Sequence, residues 1–146
     1  MENQQPKRKN LLLHRLAMVA VALVCLAAIK MLLGTRTMMY LYARDIDHIA
    51  VTVTPPGESM TATGDDVAEA VSLLSKAVTH GRQNEAPAGQ AVSLTIYNHD
   101  GTTQQVVACG DYLEIDGKGY KMRLSDGEKI DAWADALAEA QGAAME

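Results

Sequence analysis

One stretch constrains this chain more than any other: "KRKNLLLHRLAMVAVALVCLAAIKMLL", residues 7–33. Residues 16–29 carry no charge. As a helix those 14 residues measure about 21 Å, short of a hydrocarbon core of roughly 30 Å. Lys30 does not end the run, because its apolar stem lets the ammonium reach the headgroups. With it the run extends to Leu33, 18 residues and about 27 Å. Leu11, Leu12 and Leu13 add nearly another turn before His14 and Arg15. The stretch reads as a transmembrane signal-anchor helix over 11–33, behind a basic cytoplasmic tail over 1–10.

A cleaved signal peptide shares the basic start and the apolar middle. The small-x-small candidate is Ala20-Val21-Ala22, but "LVCLAAIKMLL" follows, and cutting there leaves an apolar new terminus. Lipidation at Cys25 fits less well, since Val24 before it is not small and Cys25 sits in mid-run. Lys7, Arg8, Lys9 and Arg15 place the N-terminus in the cytoplasm, a bias weakened by Lys30, Arg36 and Arg44. The expected location is the plasma membrane, single-pass, with the C-terminal domain outside. Residues 34–44 read as a juxtamembrane linker. Within them "TMMYLYAR" offers Tyr40 and Tyr42 either as an interfacial aromatic belt or as the opening of the first strand.

Charge divides the chain. Residues 1–44 hold seven Lys/Arg against Glu2, and residues 45–146 hold six against 17 acids. An acidic body argues against nucleic acid as a partner, because phosphate contacts need Lys and Arg. It is also repelled by anionic lipid, although plain solubility explains the acidity well enough. Cys25 and Cys109 cannot pair within one chain if Cys25 lies in lipid, so no disulfide framework is expected. Cys109 is expected to be a buried small hydrophobe.

Past Arg44 the pattern alternates. In "DIDHIAVTVTPPG" Ile49, Val51 and Val53 share a face, a strand stopped by Pro55-Pro56-Gly57. "SMTAT" returns as a short antiparallel strand. A helix follows, opened by Thr63 and Asp66 as an approximate capping box. Its apolar stripe runs Val67, Ala70, Val71, Leu74, Ala77 and Val78, and Gly81 closes it. Residues 82–90 read as a loop. Asp100-Gly101 is a favoured two-residue turn that pairs Leu94 with Val107 and Val92 with Cys109. A second hairpin, with a four-residue loop over 116–119, pairs Ile115 with Tyr120, Leu113 with Met122, Glu114 with Lys121 and Tyr112 with Arg123. Ser125 with Glu128 forms a capping box for a last helix whose face is Ile130, Trp133, Ala134 and Leu137.

This order predicts an α+β domain over 45–140: one antiparallel sheet with two helices packed on one face, and a frayed tail over 141–146. The opposite face would be polar and open. On it Tyr97, Tyr112, Lys121 and Arg123 are the candidate ligand-binding residues, because Tyr and Arg are common in recognition surfaces. The other reading of that face is solvated structure.

No catalytic set, metal site or cofactor is read from the sequence. The four histidines, His14, His48, His80 and His99, lack ligand spacing, leaving only a composite site around His48 and His99 formed by folding. His80 is expected to end the first domain helix, where the dipole favours a cation. "NHDGTT" and "DGKG" lack the spaced oxygen ligands of a calcium loop.

A basic-flanked anchor, the helix "DDVAEAVSLLSKAV" and the hairpins "LTIYNHDGTTQQVVACGDYLEIDGKGYKM" resemble small extracytoplasmic domains of Gram-positive bacterial membrane proteins, many of them uncharacterised. The resemblance covers about residues 45–140 and rests on pattern. It implies a surface location and an α+β fold, and it carries no catalytic residues. Three functions follow as expectations. The first is a membrane-tethered binding, sensory or interaction module that meets a protein, peptide or wall component outside the cell. The second is an accessory subunit whose helix packs on other membrane proteins through Ala17, Ala20, Ala22, Ala27 and Ala28. The third is a small surface enzyme using the composite histidine site.

Overall fold

The computed structural model describes residues 5–143. Two compact units divide at Leu33/Gly34. The first is helix α1, Gln5–Leu33. Within it Asn10–Leu33 is 24 residues long, apolar, and buried nowhere along its length. One N-terminal helix is therefore long and apolar enough to span a membrane.

The second unit is an α+β domain built on a seven-stranded antiparallel sheet, in the order β2-β1-β4-β5-β6-β7-β3. Its strands are β1 (Ile46–Thr54), β2 (Glu58–Ala62), β3 (Thr79–Arg82), β4 (Ala91–Asn98), β5 (Thr103–Cys109), β6 (Tyr112–Ile115) and β7 (Lys118–Met122). Helices α2 (Asp65–Lys76) and α3 (Leu124–Ala143) pack on one face. Alternation dictates that face: Ile49, Val51 and Val53 of β1 lie beside Ile96, Leu94 and Val92 of β4. Val67, Ala70, Val71 and Leu74 from α2, with Ile130, Trp133, Ala134 and Leu137 from α3, close over them. At β1's start Ile46 and Ile49 are both buried, three apart, because a bulge between Ile46 and His48 adds one residue and resets the alternation.

Several local expectations are corrected. Residues 34–44 are part of the domain: Met38 is fully buried and Leu41 nearly so. Thr35 also bridges to Thr79, so the outer edge of β3 is partly covered at its start. Helix α2 is preceded by Gly64, not capped by Thr63, and stops at Lys76. Residues 79–82, expected as helix end and loop, form the edge strand β3, and His80 lies in that strand. Helix α3 begins at Leu124, which puts Ser125 inside its first turn instead of before it. That helix continues to Ala143, where the tail was expected to fray; residues 144–146 lie outside the described residues. The Gln141 amide donates to Thr61 O at 2.7 Å and accepts from Thr61 N–H at 3.4 Å, occupying the free edge of β2 as a neighbouring strand would.

Both hairpin registers differ from expectation. In the first, Leu94 pairs with Val106 and Val92 with Ala108, not with Val107 and Cys109. The loop is three residues, 99–101, closed by Asn98 N–H to Thr102 O at 2.9 Å, with only Gly101 at positive φ (85°). That places Cys109 opposite Tyr112, on the other side of the sheet from Ala108. It is buried there because residues 83–90 close over it, and its Sγ donates to Pro87 O at 3.3 Å. In the second hairpin Ile115 pairs with Lys118, Leu113 with Tyr120 and Tyr112 with Lys121. The turn is two residues, Asp116 (φ 48°) and Gly117 (φ 79°), the positive pair that a type I′ hairpin needs.

Burial, and then the charges of Asp131 and Asp111, raise the Cys109 thiol above its ordinary pKa. In a Cys25→Ser background the folded protein is therefore expected to react with a thiol-exchange reagent only after denaturant is added. Prompt native labelling at neutral pH contradicts the burial. Asp131, on α3, has a buried Oδ1 without a hydrogen-bond partner among the described residues. Burial, then the charges of Asp135 and Glu128, push its carboxyl above the usual range. The folded state then holds this proton more tightly than the unfolded state, so stability falls as pH rises through that window. Asp131→Asn removes the charge, and its melting temperature should exceed the parent's near pH 7. The difference should shrink as the pH approaches about 4, where the unfolded carboxyl also protonates.

Candidate functional site

The four predicted residues do not form one cluster. Tyr97 is on the open sheet face, 37% exposed, with its ring stacked on His48 at 4.5 Å and 13°. Tyr112 lies two strands away and is buried. Its ring crosses Gly119, where a side chain would collide with it, and its hydroxyl donates to Glu114 Oε2 at 2.8 Å. That bond first, then burial and the Glu114 charge, raise the phenol above its usual pKa. Lys121 is exposed beside Tyr112, in the place expected for Arg123. Arg123 follows β7, outside the sheet, with its backbone N–H given to Val78 O at 3.1 Å. The expected pairs Tyr112–Arg123 and Glu114–Lys121 are replaced by Tyr112 with Lys121 and Glu114 with Gly119. The sheet's cation–aromatic contact is Arg82 over Tyr120, at 5.5 Å, between the partner strands β3 and β7.

Folding does bring His48 and His99 together. The β1 bulge aims Asp47 at both: His48 Nδ1 lies 2.7 Å from Asp47 Oδ2, and His99 Nδ1 lies 3.7 Å from Asp47 Oδ1. A carboxylate only accepts, so His48 donates through Nδ1. Among the described residues no group of three His, Cys, Asp or Glu side chains is arranged to hold a metal ion.

Beside this cluster, where β1 begins and β4 turns into β5, a cleft of about 380 Å³ opens. One wall is the segment before β1, with Tyr40, Tyr42, Arg44 and Asp45. The other is the hairpin, with Asn98, His99, Asp100 and Gln104. Local sequence explains the first wall. A turn closed by Leu41 N–H to Met38 O (3.1 Å) sends Met38 and Leu41 into the core, and Tyr40 and Tyr42 stay 52% and 54% exposed. The Arg44 guanidinium sits over the Tyr42 ring at 5.2 Å and reaches Asp45 at 3.6 Å. Across the cleft Gln104 Nε2 donates to Tyr40 Oη at 2.6 Å and to Asp116 Oδ2 at 3.3 Å. Asp100 Oδ1 accepts from Thr102 Oγ1 and Thr102 N–H, bonds that hold its carboxyl below the usual range. His99 N–H donates to Asp45 O at 2.9 Å, fixing the two walls to each other.

Sequence reasoning missed this cleft. Its one local signal was the spacing in "TMMYLYAR", where Met38 and Leu41 turn inward and the tyrosines turn outward. In comparisons with known proteins, no family model, no curated protein and no solved structure matches the chain.

Proposed function

We propose that this chain is a membrane-tethered binding or interaction module, anchored by α1 and acting through its α+β domain outside the cytoplasm. The observation that carries the reading is the 24-residue apolar span of α1, unburied throughout, next to an independently compact acidic domain. The Lys/Arg excess before the span supports an N-terminus inside. The resemblance to extracytoplasmic domains of Gram-positive membrane proteins agrees with it, and the cleft between Tyr42 and Gln104 supplies a concave, mixed-polarity surface of the size ligand sites have. Protease treatment of intact spheroplasts tests the reading. A C-terminal tag should be digested while an N-terminal tag survives on a chain that still begins ahead of Lys7. A mature chain lacking the apolar run, or a C-terminal tag protected until lysis, overturns it.

The Asp47 bridge favours a second reading, a small enzyme using His48 and His99. Two imidazoles on one carboxylate suit proton transfer. Loss of the chain's cellular role in a His48→Ala, His99→Ala double variant with unchanged melting supports this reading, and full retention removes it.

A further inference from the structure

We propose that the cleft between Tyr40–Tyr42 and the β4–β5 hairpin binds a neutral, hydroxyl-rich saccharide. The assignment rests on the module reading and names the ligand class of its site. Charge comes first. The wall sets Arg44 against Asp45 and Asp100, a net acidic group that opposes an anion, while Arg44 over the Tyr42 ring opposes a cation there; a neutral ligand meets neither penalty.

Hydrogen-bond supply comes second. Asp100 uses Oδ1 on Thr102 and keeps Oδ2. Gln104 spends its Nε2 on Tyr40 and Asp116 and keeps its carbonyl oxygen. Among the described residues Asp45 has only the long Arg44 contact on its carboxylate. The cleft therefore holds unused acceptors beside the donors of Arg44 and the two tyrosine hydroxyls, and hydroxyl groups, which donate and accept, meet both. An extended peptide finds little here, because three of the hairpin's backbone N–H groups are already used: Asn98 on Thr102, His99 on Asp45 and Gly101 on Asn98. No ladder is left for strand addition.

Surface comes third. The Tyr40 ring, and the face of the Tyr42 ring that Arg44 does not cover, offer flat apolar area with hydroxyl tips. That combination fits a ring with C–H faces and a hydroxyl rim.

The test uses the full chain in phosphatidylcholine nanodiscs, free of sugar detergents, with ligand-observed saturation-transfer NMR. The probes are the trisaccharides of glucose and of N-acetylglucosamine, with trilysine and inorganic phosphate for comparison. Transfer to a neutral trisaccharide is expected, about tenfold weaker in a Tyr42→Ala, Gln104→Ala double variant that loses one ring contact and one acceptor. Glu58→Ala, on β2 at the opposite end of the sheet from the cleft, should leave it unchanged, and circular dichroism should show all variants folded. Transfer to trilysine or phosphate but to neither sugar overturns the saccharide assignment while the module reading stands. Sugar transfer unchanged in the double variant overturns the location. Silence from every probe overturns the assignment, and the spheroplast result then decides separately whether the module reading survives.

Discussion

Replacing Trp133 by Ala is expected to lower the domain's unfolding free energy by about 3–5 kcal/mol. Trp133 is 7% exposed, in the middle of α3's buried face. It borders a narrow gap with Ala70, Leu73 and Leu74 of α2, Leu94 of β4 and its own neighbour Ile130. Removing the indole leaves a void at the junction of both helices and the sheet, and none of those side chains is long enough to fill it. A domain of this size has about 5–15 kcal/mol in all, so the variant should be marginal at 37 °C. Urea unfolding followed by circular dichroism reads the loss as a lower midpoint. With a slope of about 1–3 kcal/mol/M, the midpoint should fall by more than about 1 M with the slope unchanged. Leu124→Ala is the control: Leu124 begins the same helix but is 56% exposed, and its loss should stay within about 0.5 kcal/mol. Equal midpoints for the two variants contradict the placement of Trp133 as the helix anchor.

That anchor was legible from sequence, and so was the face it meets, because alternation and helical periodicity are local records of burial. Val92, Leu94 and Ile96 point inward whatever they pair with. Pairing itself is set by turns, and there small energies decide. Asp100-Gly101 can make a two-residue turn. Here Asp100 instead bonds Thr102 with its side chain, only Gly101 takes positive φ, and every pair along the hairpin moves by one residue. The core face survives because Val106 and Ala108 replace Val107 and Cys109 with equal apolarity. Asp116 tolerates φ of 48°, shortening the second loop and separating Tyr112 from Arg123. Strand β3 was invisible for a different reason. Val78 continues the helical stripe begun at Val67, and only tertiary partners, β7 on one side and Thr35 on the other, pull residues 79–82 into the sheet. The cleft was illegible because its walls come from residues 40–45 and 98–104, which meet only after the sheet forms.

Placing two aspartates in the middle of α1, as Val21→Asp with Leu23→Asp, is expected to release the chain from the membrane. Each acid near the centre of a spanning helix costs about 2.5–3.5 kcal/mol for insertion, and each apolar residue lost forfeits a further few tenths. The pair therefore opposes insertion by more than about 5 kcal/mol. Asn10–Leu33 has little to set against that, since its 24 residues only modestly exceed what a bilayer core requires and Lys30 already lies within them. A long helix can slide to bury fewer charges, but positions 21 and 23 are close to the centre of this one and no shift removes both. The parent should resist alkaline carbonate extraction, and the double variant should appear in the supernatant. The domain should melt at the same temperature in both, because it forms a compact unit apart from α1 and its core cluster draws on no residue of that helix. A variant that stays in the membrane pellet with a folded domain means that something other than α1 holds the chain there. The exposed Met39, Tyr40 and Tyr42 would then be the next residues to change.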